Sequence, residues 1–238
     1  MNPISIYYCT AFDVPAPYSY EISFDFEKKD NGFFVNFQME YSHREDLTED
    51  EIVNEGFTLN DNFSWKGILN SVWESEIDLI LAKTEFKNVA KEHEIIIKND
   101  DGDFVPKNFK EWSLLIQDLI QAVFETSGKE SPWQLELAII KKSEIQKQKI
   151  IVSFANRNVD FSFNSKINLD WSEVKKMMEL IYLGDYLEEA AQMQLSNKDG
   201  FYLCFDDKTW YKLGRSVLNP QGNKNYLTKL ESELLSLV

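Results

Sequence analysis

With two cysteines, two histidines and nine glycines in 238 residues, the chain has little material for several kinds of chemistry. Cys9 and Cys204 stand far apart, each in an apolar, strand-like context, so a disulfide framework is excluded and buried thiols are expected. Structural zinc needs clustered Cys and His, and no two of these residues are neighbours. His43 and His93 sit in no motif and are expected at the surface. The glycines form no G-x-G-x-x-G loop, no Walker-type phosphate loop and no G-x-S-x-G elbow, so the common nucleotide sites and that type of serine hydrolase drop out. No cofactor is expected. Long apolar runs are lacking too: none approaches the roughly 20 residues of a membrane helix. Residues 1 to 12 have neither the basic start nor the apolar core of a secretory signal, so a cytoplasmic location is expected.

Negative charge is what the chain has in excess. The formal net charge is -15; residues 1 to 126 hold 25 acidic and 10 basic side chains, whereas residues 127 to 238 hold 15 of each. Such a field repels DNA, RNA and anionic membranes and favours a basic protein as partner. The charge is densest in "HREDLTEDEIVNEGF", His43 to Phe57, where Glu45, Asp46, Glu49, Asp50, Glu51 and Glu55 are the candidate partner-binding residues, with Asp61 just beyond. The segment reads either as a solvated helical turn opened by Thr48 or as a recognition loop. A second acidic run, "NDDGD" at Asn99 to Asp103, fits the first positions of a calcium loop but has Phe104 where that loop requires glycine. It is expected to be a turn, and no metal site is expected.

The hydrophobic share of 43% and aromatic share of 14% are enough to bury a core. "ISIYYCTAF" reads as a strand closed by Pro15 and Pro17. "YSYEISFDF" and "FFVNFQMEY" alternate with period two across the Asn31-Gly32 turn signal, which predicts an antiparallel hairpin. From Asn62 the residues Trp65, Ile68, Leu69, Val72, Trp73, Ile77, Ile80 and Leu81 recur at helical spacing and predict one long helix. A strand at "HEIIIK" follows, then a helix opened by Asn108 with Glu111 as a capping box, its stripe Trp112, Leu115, Ile116, Leu119, Ile120 and Val123. The second half reads as three strands, a helix opened by Asp170-Trp171-Ser172-Glu173, strands at "FYLCF" and "KTWYKLG", and a terminal helix.

A constant offset of 106 residues maps Asn62 on Asn168, Trp65 on Trp171 and Phe104 on Trp210, which suggests duplication, with the two Trp rings closing a helix against a sheet. The expected fold is α+β: two tandem related modules, residues 1–126 and 127–238, sharing a core, each a mainly antiparallel meander sheet with helices on one face. In element order alone, residues 108 to 238 resemble bacterial secretion chaperones, and an order of elements carries no function. The expected function is non-catalytic protein binding of an adaptor or immunity kind. The alternative is a carboxylate-based hydrolase or transferase with its site between the modules.

Overall fold

A computed structural model of the chain describes residues 3–29, 32–88, 94–162 and 169–237. Its first compact unit is Met1–Ser131 with Phe154–Asn156, and its second is Pro132–Ser153 with Arg157–Val238. The first unit runs β1 (Ile4–Cys9), β2 (Tyr20–Lys29), β3 (Gly32–Tyr41), α1 (Glu49–Asn54), β4 (Phe63–Leu69), α2 (Val72–Leu81), β5 (Phe86–Asn88), β6 (Ile95–Asn99), β7 (Gly102–Pro106) and α3 (Phe109–Thr126). The second runs β8 (Trp133–Lys141), β9 (Glu144–Ser153), β10 (Asn158–Phe161), α4 (Trp171–Tyr182), β11 (Asp185–Tyr186), a short 3-10 turn (Glu188–Ala190), β12 (Gly200–Cys204), β13 (Trp210–Lys212), β14 (Val217–Leu218) and α5 (Tyr226–Leu235). The fold is therefore α+β with large antiparallel sheets. No described helix is long and apolar enough to cross a membrane.

The alternation in β2 and β3 has the expected result. The two strands pair from Tyr20 opposite Tyr41 to Lys29 opposite Gly32, and Ile22, Phe24, Phe26, Phe33, Val35, Phe37 and Met39 are buried on one face. Each such side chain removed from water contributes about 1.5–3 kcal/mol, which drives the apolar stripe of α3 onto this sheet. Trp112, Leu115, Ile116, Leu119, Ile120 and Val123 all join the sheet residues in one core. The sheet order is β4-β3-β2-β1-β6-β7-β5. Asn99 to Asp103 forms the β6–β7 hairpin turn, where the Asn99 side-chain oxygen accepts from the Asp101 N–H at 2.9 Å and Gly102 takes a φ of 131°. The Asn31 turn position and His93 lie outside the described residues.

Two local expectations are corrected. The helix expected from Asn62 is two elements: Phe63 to Leu69 is strand β4, paired to β3 with Trp65 opposite Phe37, and the helix begins only at Val72. Its inward alternation is Phe63, Trp65, Gly67, Leu69, and the Trp65 ring lies over Gly67 so closely that an added Cβ would sit 2.2 Å from it. At α3, Asn108 and Glu111 form no capping box. The Asn108 amide donates instead to the Glu111 carboxylate at 3.0 Å, and the Asn108 side chain makes no bond to the helix N-terminus.

In the second unit the sheet order is β10-β9-β8-β12-β13, beside a two-stranded ribbon of β11 and β14. Asp170 caps α4 as expected: its carboxylate accepts from the Glu173 N–H at 2.9 Å, while Glu173 accepts from the Asp170 N–H at 2.8 Å. Successive residues of β8 point to opposite faces, and both faces of its second half are buried. Ala138 and Ile140 pack with Tyr202, Cys204 and Trp210 in a small cluster on one side. The observed order of α3, β8 to β10, α4, β12, β13 and α5 matches the sequence reading, with β11, β14 and the 3-10 turn added.

The constant offset corresponds to shared structure only in part: it lays the β6–β7 hairpin on the β12–β13 hairpin, and it fails ahead of them. It lays strand β4 on the first turn of α4, so Trp65 is a strand residue and Trp171 a helix residue. Strand direction differs as well. In the first unit β1 stands antiparallel between β2 and β6, which makes those two parallel, whereas β12 pairs directly and antiparallel with β8. Asn168 lies outside the described residues.

Candidate functional site

The acidic segment between β3 and β4 is an ordered platform built on one arginine. Arg44 lays its guanidinium 3.9 Å from the centre of the Tyr41 ring and 4.8 Å from that of Phe57. Its Nη1 donates to Asp61 at 2.7 Å and to the Thr58 carbonyl at 3.1 Å, while Nε and Nη2 donate to the Pro17 carbonyl at 3.2 and 3.1 Å. A planar, always charged fork is the group that can stack and bond in several directions at once. The Arg44 and Asp61 side chains are 11% and 22% exposed, so this ion pair is far better shielded than a surface one.

Asp61 is tied into the same knot from the other side. It accepts from the Thr58 N–H at 3.0 Å and the Thr58 hydroxyl at 2.6 Å. Partial burial pushes its carboxyl up, but the bonds from Thr58 and Arg44 outweigh this and hold it below the usual carboxylate range. Tyr18 closes the far end: its ring stands edge-on to Phe57 at 5.3 Å and its hydroxyl donates to Glu55. That bond raises the Tyr18 hydroxyl above its ordinary value.

The expected partner-binding residues divide into two groups on this platform. Glu51 completes a capping box with Thr48, accepting from the Thr48 N–H and hydroxyl, each at 2.8 Å, which lowers its carboxyl. Glu55 is engaged with Tyr18. Both therefore serve the fold of the segment. Glu45 and Asp46 lie in the turn closed by the Leu47 N–H on the Arg44 carbonyl, and Glu49 and Asp50 open α1. These four are exposed and, among the described residues, form no ion pair. Acidic side chains in a first helical turn also stabilise that turn through its dipole.

Arg44, Tyr18, Tyr41 and Phe57 were not read as site residues from sequence. One signal was present: Arg44 is the only arginine before Arg157, and it stands inside the densest acidic run. The exposed His43 beside it has a positive φ of 59° and marks the bend into the segment.

A cavity of about 210 Å³ in the second unit is lined by Glu136, Leu137, Lys147, Gln148, Lys149 and Ser162. It brings together one carboxylate and two lysines, and Lys149 lies 3.9 Å from Glu136 and 3.6 Å from Asp207. Two facing carboxylates, as acid–base hydrolysis requires, are not what lines it. Among the described residues no three His, Cys, Asp or Glu side chains are placed to share a metal ion. No protein-family model matches the chain, and no curated protein or solved structure does so either.

Proposed function

We propose that this is a non-catalytic protein-binding protein, of an adaptor or immunity kind, whose segment Glu45 to Asp50 docks on a basic protein surface. The observation that supports the reading is the Arg44 scaffold, which holds the segment while leaving Glu45, Asp46, Glu49 and Asp50 turned to solvent. A partner meeting a pre-ordered acidic surface loses less side-chain and loop entropy than one that must order a floppy loop. Four carboxylates within six residues also produce a local field that speeds encounter with a cationic surface.

The test replaces Glu45, Asp46, Glu49 and Asp50 by their amides and leaves Glu51 and Glu55, which belong to the scaffold. Proteins retained from an extract of the source cell by the intact and neutralised forms are compared quantitatively, and association of the retained partner is then followed against salt. Neutralisation is expected to slow association about tenfold at low salt and flatten its salt dependence, because the attraction is screened over a Debye length of about 10 Å at 0.1 M. Retention of the same partners, in the same amounts and at the same rate, removes the segment from any docking role.

A further inference from the structure

Five aromatic rings from five separate stretches of the second unit meet at the Trp133 end of β8. Tyr182, at the last position of α4, stacks on Phe205 at 5.8 Å, and its hydroxyl oxygen accepts from the Trp133 indole N–H at 2.6 Å. Phe205 stands 5.7 Å from Tyr186 and 6.2 Å from Tyr211, which are 5.3 Å from each other. The Tyr186 hydroxyl donates to the Ile181 carbonyl at 2.8 Å, which fixes its ring.

A core cluster of this size would be closed. Here Tyr182 is 57% exposed and the adjacent Leu183 52%, and the other four rings are only half-buried. Elsewhere the chain covers several of its part-exposed rings with its own cations: Arg44 on Tyr41, Lys129 on Phe63, Arg157 on Trp171 and Lys29 on Phe34. Among the described residues no lysine or arginine covers the Tyr182 group. Two carboxylates lie next to it along the chain instead. Asp206 directly follows Phe205, and Glu188 stands two residues after Tyr186 across the extended Leu187 (φ -105°, ψ 102°), the spacing at which side chains leave the chain on the same side. In keeping with this, partial burial raises the Tyr211 hydroxyl, and the charges of Glu188 and Asp206 raise it further. Asp206 is consumed by bonds from the Lys208 and Thr209 N–H groups and the Thr209 hydroxyl, at 3.0, 2.6 and 2.8 Å. Glu188 is exposed and without an ion pair among the described residues.

We infer that the surface formed by Tyr182, Phe205 and Tyr211 receives an arginine side chain of a protein partner, its guanidinium laid on the rings and its N–H groups turned to Glu188. An uncovered aromatic surface beside an unpaired carboxylate is complementary to a planar cation in both respects. Guanidinium is favoured over ammonium because it is flat, weakly hydrated and able to stack and donate at once. Exposed Tyr and Trp rings are also the side chains that dominate protein interfaces. The site lies in the charge-balanced half of the chain and does not depend on the acidic segment of the first unit.

The experiment follows a fluorescently labelled hexa-arginine peptide by anisotropy, with hexa-lysine for comparison, against the intact chain and four variants. Hexa-arginine is expected to bind the intact chain more tightly than hexa-lysine. Tyr182→Ala is expected to weaken it about 5- to 10-fold, a change that corresponds to one well-placed cation–π contact. Tyr182→Phe keeps the ring and should stay within about twofold of the intact chain on the same reasoning. Glu188→Gln should weaken binding and lower its salt dependence. The first-unit variant with neutral residues at 45, 46, 49 and 50 should keep the preference for arginine over lysine. Equal affinity for both peptides, or hexa-arginine binding lost only in the first-unit variant, overturns the proposal. Near-UV circular dichroism checks the fold of Tyr182→Ala. If that variant has lost its tertiary signal, Glu188→Gln decides alone, and an unchanged affinity there is likewise fatal.

Discussion

Replacing Arg44 by alanine removes at one stroke the group that the acidic platform is built on. Four donor contacts are lost, one of them to a carboxylate at 2.7 Å, together with stacking on Tyr41 and Phe57. A hydrogen bond involving a charged partner is worth about 1.5–3 kcal/mol, and breaking a fully buried pair costs about 3–5 kcal/mol. Asp61 is 22% exposed and keeps both bonds from Thr58, so the lower part of that span applies. The expected cost is about 2–3 kcal/mol, a fall in Tm of roughly 10 °C for a unit of this size. Urea unfolding of the single variants Arg44→Ala and Asp61→Asn and of the double variant isolates the pair, whose coupling should be about 1–2 kcal/mol. Arg44→Lys should recover less than half of the loss, since an ammonium cannot reach Pro17, Thr58 and Asp61 together. Limited proteolysis gives a second reading, with cleavage between residues 45 and 60 appearing only in the alanine variant. An Arg44→Ala protein of unchanged stability and unchanged cleavage pattern would refute the scaffold reasoning.

Three other outcomes follow from the same kind of accounting. Gly67→Ala should cost about 1–3 kcal/mol, because the new methyl meets the Trp65 ring, and should cost nothing in a Trp65→Ala background, as thermal unfolding of the four proteins would show. Asp206 is held down to about 2 by the backbone N–H groups of Thr209 and Lys208 and then the Thr209 hydroxyl. Its folded value lies below the unfolded one near 3.9, so its contribution is present above about pH 4 and is lost as the pH falls through about 2. Asp206→Asn should therefore flatten the acid side of the stability curve of the second unit. Burial pushes the hydroxyls of Tyr8 and Tyr226 up to about 12. Stability tied to them is intact below about pH 10 and lost as the pH rises toward 12, and an ultraviolet titration should show both ionising late, with Tyr186, which burial pushes up further, later still.

Where the controlling forces are local, the sequence reading and the structure agree. The period-two runs of β2 and β3, the stripe of α3 and the capping box at Asp170 each depend on residues within one or two turns or one hairpin. The failures have equally particular causes. Gly67 has no side chain to mark the inward face of β4, so Ile68, Leu69, Val72 and Trp73 merge across Asn70 into an apparent helical stripe. Asn108 has the residue type for a cap, but its backbone angles, φ -85° and ψ 55°, leave its amide bonded to Glu111 instead.

The amino-acid sequence by itself determined that the chain is α+β and that its excess negative charge lies in the first half, and it narrowed the acidic segment to a helical turn opened by Thr48 or a recognition loop. Composition and short-range periodicity carry that information. Only the tertiary structure decided that β1 enters the sheet between β2 and β6, that Arg44 reaches back to Pro17 and forward to Asp61, and that Trp133, Tyr182, Tyr186, Phe205 and Tyr211 form one surface. Each of these joins residues brought together by sheet closure or chain reversal. Such contacts are selected by the total burial they complete, and no local pattern records them.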